Sequence, residues 1–487
     1  MKNLKYTAAL MAVVLGLSSC EKTLEVAPRD QIAAEQALTS LLGVNSLLNT
    51  AYSNLRGTTY YGQSLKILPD IMADNIYPIP GLNSNRLITN SVNQAGAHMS
   101  IWSLYTTGVN QANLVIDAVG KLEGAQADKN KLLGQALGLR SLFFFDMVRV
   151  YAYNPKFIPI KNGSLFNYGI PLVLKPTTSV STIEYPKRAT VDEVYTQIEA
   201  DLLQAEGLLD NSLGNKYMTQ NVVRAILAKV YLTWGKYDKA AIYADKVITT
   251  SGSTFQTGAN YANMFYADNN PEAIFDIVIT SEQSNINESL QSYYAQFPAD
   301  YSKRQDPVAF ANINEPKVGY GDFSPTPELL ALYEAGDVRR NVINTSNKNG
   351  TTVTYARKWV PTKGANFLQN IPLMRITEMY LIRAEGNFRA GTSVGATAQA
   401  DLDKIRLRAG LTSVPVTADA ILKERRIELA FEGDRWFDLL RLGQDIPKST
   451  ALGALAPISY QNDFRILAPI PNADLAVNPN LVRNLGY

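Results

Sequence analysis

A chain of 487 residues with 46 Lys and Arg against 44 Asp and Glu carries a formal charge of +2, its acids and bases interspersed. No basic stripe of the kind that follows a phosphate backbone is visible, which excludes nucleic acid as an expected partner. One His and one Cys exclude a multi-histidine metal site and an intrachain disulfide, and the length suffices for one large domain or two ordinary ones with a substantial core.

The chain opens with Lys2 and Lys5, then an apolar stretch over 8–17, far short of the roughly 20 residues that span a bilayer. The stretch ends in Leu17-Ser18-Ser19-Cys20. A Leu, two small residues and a Cys form the pattern of a bacterial lipoprotein signal, with cleavage before Cys20 and a diacylglycerol on its thiol. A lone Cys in an exported chain has no disulfide partner, and lipidation gives it a role. The expected organisation is a lipoprotein signal peptide over 1–19, a lipidated tether over 20–30 and a single unit over 31–487, with an N-terminal part over about 31–225 and a C-terminal part over about 270–487. No other apolar run is long enough to cross a bilayer, so the lipid is the expected membrane link, and stable anchoring takes more than one acyl chain.

Apolar residues at helical spacing predict helices over 31–54, 99–122, 131–151, 191–209, 220–234, 238–249, 375–389, 397–409 and 419–431. Thr190 followed by Glu193 is a capping-box arrangement. Residues 222–244, with small side chains where helices approach and Gly235 at the turn, follow the grammar of a tetratricopeptide-type hairpin. A second, degenerate copy runs from Glu378 to Leu402, and a third pairs 131–151 with 191–209 across a long insertion. The fold class is therefore mainly α, a helical scaffold interrupted by long loops over 58–97 and 281–327. Strands are predicted over 273–279 and 351–359, where β-branched residues alternate.

Several blocks resemble the SusD/RagB family of outer-membrane nutrient-binding lipoproteins. Ala136-Leu137-Gly138-Leu139-Arg140-Ser141-Leu142-Phe143-Phe144-Phe145-Asp146-Met147-Val148-Arg149-Val150-Tyr151 is similar to its "LRAxxYFDLVRxYG" helix. Met374 to Glu385, Ile405 to Leu411 and, most diagnostically, Glu424 to Arg441 with Gly433-Asp434-Arg435-Trp436-Phe437-Asp438 also match. Leu467 to Pro471 and Asn478 to Leu481 follow in family order, although the usual "QNPGY" ending is here Arg483-Asn484-Leu485-Gly486-Tyr487. The resemblance implies a SusD-like fold, tetratricopeptide-like repeats carrying ligand-binding loops. It also implies a surface lipoprotein of the outer membrane that captures ligand as the lid of a SusC-type TonB-dependent transporter.

The residues favour binding over catalysis. Glu424, Glu428 and Glu432 share one helix face, where like charges repel by a few tenths of a kcal/mol each, so cations such as Arg406 and Arg408 are expected to answer them. Acids lined up on one helix do not face each other across a sugar as glycoside hydrolysis requires. His98 stands without a triad motif, no G-x-S-x-G, H-E-x-x-H or P-loop occurs, and Asp401-x-Asp403 lacks the glycine and distal Glu of a calcium loop. No enzyme activity, metal or cofactor is expected.

Sugar binding needs aromatic faces for pyranose C–H groups and amides or charges for the hydroxyls. Trp102, Trp234, Trp359 and Trp436 sit in predicted scaffold elements, so the 26 tyrosines are the better source. Tyr60, Tyr61 and Tyr77 in the first loop region, and Tyr293, Tyr294, Tyr301 and Tyr320 in the second, are the candidates, with Asn83, Asn85, Arg86 and Arg304 as polar partners. Replacing Tyr293 and Tyr294 with Ala is expected to weaken binding with little effect on unfolding. The expected ligand is an oligosaccharide. A peptide, as in the RagB branch, is the alternative, and a surface-anchored hydrolase the more remote one.

Overall fold

The computed structural model describes residues 38–487, so the lipidation motif at Cys20 and the tether lie outside the described residues. Helices supply the frame: α1 (Leu41–Ser53), α2 (Ser64–Ile71), α3 (Asn110–Val119), α4 (Gln126–Tyr151), α5 (Val191–Leu208), α6 (Gln220–Trp234), α7 (Tyr237–Thr250), α8 (Leu290–Tyr294), α9 (Ile376–Ala390), α10 (Ala398–Arg408), α11 (Ala418–Glu428) and α12 (Arg435–Arg441). Their packing follows chain order: α1 on α3, α3 on α4, then α5, α6, α7, α9 and α10, each on its predecessor. Such nearest-neighbour stacking is how tetratricopeptide-like units bury faces that no single hairpin can cover.

Local chemistry sets the boundaries. The Thr190 hydroxyl accepts from the Glu193 N–H while the Glu193 carboxylate accepts from the Thr190 N–H, so the expected capping box is formed. Gly235 ends α6 at φ 80°, a left-handed turn that glycine enters without a Cβ penalty, and α7 starts two residues on. Although more than a hundred residues separate α7 from α9, the two pack closely because Gly386 has no side chain. A Cβ there would lie 2.7 Å from the Tyr237 carbonyl and 2.9 Å from the Ala241 nitrogen.

The long segment between α7 and α9 folds onto the frame through short antiparallel pairs. β1 (Ile76–Pro78) pairs with β3 (Phe323–Pro325), β2 (Ala273–Ile277) with β6 (Ile371–Arg375), and β4 (Ile343–Lys348) with β5 (Thr351–Ala356). β1 thus joins the two regions that composition marks as loops. The first is less irregular than expected: Leu65, Ile67, Leu68 and Ile71 are buried on α2, a helix hidden among Gly, Asn and Tyr neighbours. β4 and β5 turn at Asn349-Gly350, both at positive φ, the signature of a tight hairpin. The helix predicted over 99–122 is a π-helical turn at Tyr105–Val109 followed by α3.

The carboxylates of Glu424, Glu428 and Glu432 are buried and answered by arginines from elsewhere in the chain. Arg406 reaches Glu424 at 2.5 Å and Arg408 reaches Glu428 at 2.7 Å, as the sequence led one to expect. Arg339 also holds Glu424 at 2.7 Å, and Arg375 bridges Glu272 at 2.7 Å and Glu432 at 2.6 Å. Burial raises the Glu432 carboxyl, but Arg375 and Lys358 outweigh it and hold it at about 2. These acids are locked into scaffold and are not available to a sugar.

Candidate functional site

The turn after residue 318 is set by backbone. Gly319 and Gly321 both have positive φ, and α8 and β4 clamp the turn between them. The Tyr320 N–H donates to the Ser292 hydroxyl at 3.1 Å, the Gly321 N–H to the Ser292 carbonyl at 2.7 Å, and Lys348 Nζ to the Tyr320 carbonyl at 2.5 Å. This presents the half-buried Tyr320 ring edge-on to Tyr293, with centroids 5.4 Å apart. Glu288, just before α8, gathers both hydroxyls: Tyr293 donates at 2.6 Å and Tyr320 at 2.9 Å. Gln63 donates to the same carboxylate at 3.3 Å. From the other loop region Arg86 lays its guanidinium over the Tyr320 ring, 3.7 Å from the centroid and 3.9 Å from Glu288.

The electrostatics are coherent. Burial works to raise the Glu288 carboxyl, but the two phenol hydrogen bonds and the Arg86 charge prevail and hold it below the usual carboxylate range. The Tyr293 hydroxyl is pushed up, first by burial and then by Glu288, so it stays a donor. A half-exposed carboxylate, a cation and a tyrosine ring therefore converge on one patch, the combination that hydroxyl-rich ligands require.

The backbone around this patch is strained. Among the described residues, four bulky side chains sit at positive φ: Leu87 (57°), Ile286 (45°), Phe367 (66°) and Phe431 (71°). Leu87 adjoins Arg86, Ile286 lies just before Glu288, and Phe367 accepts from Ser284 in the same loop. Left-handed backbone costs a non-glycine residue about 1–2 kcal/mol, and such costs concentrate at ligand sites. Ile286 is also 59% exposed, so packing does not explain its conformation.

The other expected residues are distributed unevenly. Tyr60 and Tyr61 are corrected to core residues: both are buried and both hydroxyls donate to the buried Asp146 on α4. Their rings are held there because Asp146, amid Phe143, Phe144, Phe145 and Met147, needs buried donors. Tyr294 is likewise corrected, 1% exposed, with its hydroxyl bound to the Lys66 carbonyl and Asp70. The Tyr293 ring is also buried, stacked on Phe323, and only its hydroxyl reaches the patch. Tyr77 is half-buried on β1. Asn83 is spent on a local turn, donating to the Ile79 carbonyl and accepting from the exposed Asn85. Tyr301 and Arg304 form a separate spot: their groups stack at 4.1 Å and the Tyr301 hydroxyl accepts from Gly364. Of the expected residues, the structure brings Arg86, Tyr293 and Tyr320 together, and it sets beside them Glu288 and Gln63, which sequence reasoning did not single out because only the meeting of the two loops places them there. Trp102, Trp359 and Trp436 are buried, as expected for scaffold.

Comparison with known proteins gives one answer along the chain. The profile of the SusD family matches residues 338–487, and the profile described as "Starch-binding associating with outer membrane" matches residues 24–232. SusD-like protein P2 of Formosa agariphila is 24% identical over 99% of this chain and 100% of its own. The starch-binding protein SusD of Bacteroides thetaiotaomicron is 27% identical over 61% of this chain and 65% of its own. A crystal structure of a sugar-binding protein from Bacteroides vulgatus, described as putative in its own report, superposes with a TM-score of 0.77 at 27% identity, covering 92% of this chain and 99% of that one. With the helical stack and both profiles in agreement, this chain belongs to the SusD-like family.

Proposed function

We propose that this protein is a lipid-anchored outer-membrane lipoprotein that binds an oligosaccharide and hands it to a SusC-type TonB-dependent transporter, serving as its lid. The observation that carries the reading is the Arg86–Tyr320–Glu288 patch, a ring, a cation and a carboxylate held on strained backbone. A shallow, half-exposed patch suits capture and release better than a deep apolar pocket does. The starch-binding relative and the sugar-binding structural neighbour support a carbohydrate ligand. The lipoprotein-signal pattern Leu17-Ser18-Ser19-Cys20 supports the anchor, and the description of the N-terminal profile supports the outer membrane.

Binding without chemistry is the reading the acids support. Glu424, Glu428 and Glu432 are buried in ion pairs, and Glu288 is engaged by two phenols and Gln63. The test is calorimetric titration of the detergent-solubilised full chain with plant and host oligosaccharides and a mixed peptide pool, followed by product analysis. Saturable heat with a glycan, no cleavage, and weakening in Tyr320→Ala support the reading. Heat with peptides alone moves the protein to peptide import, and product formation makes it a hydrolase.

A further inference from the structure

Where the loop over 171–186 meets the C-terminal segment there is a cavity of about 300 Å³, at the lower end of the size range of small-molecule sites. It shares no lining residue with the Arg86–Tyr320–Glu288 patch. Hydrogen bonds fix its walls. On one side the Tyr105 hydroxyl donates to the Pro171 carbonyl at 2.7 Å. Asn110 clamps Thr177, donating to its carbonyl at 3.1 Å and accepting from its N–H at 2.7 Å. On the other side Asn478 donates to the Pro186 carbonyl at 3.0 Å and Asn480 to the Tyr185 carbonyl at 2.7 Å.

The same bonds decide what the cavity can hold. Both lining amides, Asn110 and Asn478, are spent on backbone groups. Glu184 faces Lys175 at 3.2 Å. Asp474, on the short helix Asn472–Val477, has no ion pair and no side-chain hydrogen bond among the described residues. Arg483 donates instead to the neighbouring Asn472 at 2.9 Å. The Asp474 charge acts inward: burial pushes the Tyr151 hydroxyl up, and Asp474 pushes it further. The carboxylate therefore lies on the side of the cavity where Trp102 packs on Tyr151, with centroids 4.9 Å apart. Trp102 and Tyr105 meet edge to face at 5.0 Å and form a corner of the wall, and Tyr185 is a third ring. Pro171, Val173, Ile183, Val477 and Leu481 supply aliphatic wall, with Tyr185 46% and Val477 62% exposed.

We infer that this cavity binds an organic cation, an alkylammonium or arylalkylammonium whose charged nitrogen lies against Asp474 and whose apolar body lies among the three rings and the aliphatic wall. The carboxylate answers the charge, aromatic rings attract it, and the aliphatic side chains cover the body. Other ligand classes fit less well. An anion meets Asp474 with no free cation beside it among the described residues that line the cavity. A sugar meets the Trp102 N–H, Asp474 and the Thr177 and Tyr185 hydroxyls, but most of its own hydroxyls face aliphatic wall. The inference is independent of the glycan reading, since it uses none of the residues of the patch.

The test is saturation-transfer NMR on the full chain, solubilised in a polyoxyethylene detergent that carries neither charge nor sugar. The probes are benzyltrimethylammonium, choline and 3,3-dimethylbutan-1-ol, the neutral isostere of choline. The expected result is that choline binds about tenfold tighter than the alcohol and that benzyltrimethylammonium displaces it. In Asp474→Asn the ratio falls toward one, and in Tyr185→Ala, where an exposed ring is removed, choline binding weakens several-fold. Tyr320→Ala leaves choline binding unchanged. Equal binding of choline and the alcohol by the unaltered protein overturns the inference, whether or not a variant folds. So does silence toward both cations, or a ratio that survives in Asp474→Asn. Loss of choline binding in Tyr320→Ala places the cation on the patch and overturns it too. Displacement of choline by an oligosaccharide in both the unaltered chain and Tyr320→Ala assigns the cavity to sugars instead.

Discussion

The guanidinium of Arg86 lies 3.7 Å over the ring of Tyr320 and 3.9 Å from Glu288, which also holds the Tyr320 hydroxyl. One face of the ring is thereby covered, so the proposed sugar complex requires the opposite face or displacement of Arg86. The clamp on the 319–321 turn fixes the ring's position in both cases. Tyr320→Ala is expected to weaken oligosaccharide binding by about tenfold or more, since aromatic contacts of this kind contribute about 0.5–1.5 kcal/mol beyond their buried area. Its melting temperature is expected to stay within a degree or two, which calorimetry on the same sample checks.

Tyr294 is expected to behave in the opposite way. Its ring is 1% exposed and packs edge-on against Phe431. Tyr294→Ala should cost about 3–5 kcal/mol through the cavity it leaves. Denaturant unfolding measures that loss. An unaltered midpoint would place the ring outside the core.

Glu428 is the anion on which Arg375 and Arg408 converge, at 3.2 and 2.7 Å. Glu428→Gln takes one buried counter-charge from Arg375 and Arg408, which keep Glu272, and is expected to destabilise the fold by about 3–5 kcal/mol, with no effect on the affinity of whatever folded protein remains. Because these pairs are buried, added salt should change the result little.

Two groups of carboxyls give opposite pH dependences. Asp70 is fully buried and pushed up to about 7 by that burial, against hydrogen bonds from Asn75 and the Gly433 N–H. The folded chain holds this proton more tightly than the unfolded one, so its contribution is complete below about pH 4 and is lost as the pH rises to 7. Glu385 and Glu432 are held at about 2: burial opposes ionisation, and Arg441 and Arg375 overcome it. Their contribution is complete above about pH 4.5 and is lost as the pH falls toward 2. Asp70→Asn should therefore remove about 2 kcal/mol of the stability difference between pH 5 and pH 7, read as the gap between variant and parent in denaturant unfolding.

Ile286 supplies a test of strain. With φ at 45° and 59% of its surface exposed, it gains little from packing. Ile286→Gly is expected to raise stability by up to about 1 kcal/mol and to loosen the loop that carries Glu288, lowering glycan affinity several-fold. A variant that gains stability at unchanged affinity would separate the strain from binding.

Much of the frame was legible because helical periodicity survives in a single sequence. The Thr190 cap, the Gly235 turn and the arginine answers to Glu424 and Glu428 each follow from local spacing or from the cost of like charges. The candidate patch was only partly legible. Arg86 and Tyr320 announced themselves as polar and aromatic residues in loops, but Tyr60 and Tyr61 carry the same signal and are core. What separates them is Asp146 on α4, an acid inside a run of phenylalanines that needs buried donors. That signal stands in the sequence, some eighty residues from the tyrosines it explains. Glu288 and Gln63 offered none, since a carboxylate or an amide in a loop acquires its place in the patch only from what the fold sets opposite it.

The buried charges have a consequence for how the chain matures. Their members come from Glu272, Asp337, Arg339, Arg375, Arg406, Arg408, Glu424, Glu428 and Glu432, and the lattice closes only when the last of these has been made. A product truncated before α11 retains Arg339, Arg375 and Arg408 without most of their counter-charges, and burying them would then cost more than packing returns. The lattice thus acts as a completeness check: a nascent or broken chain stays open to chaperones and proteases, and only a finished one closes around its arginines.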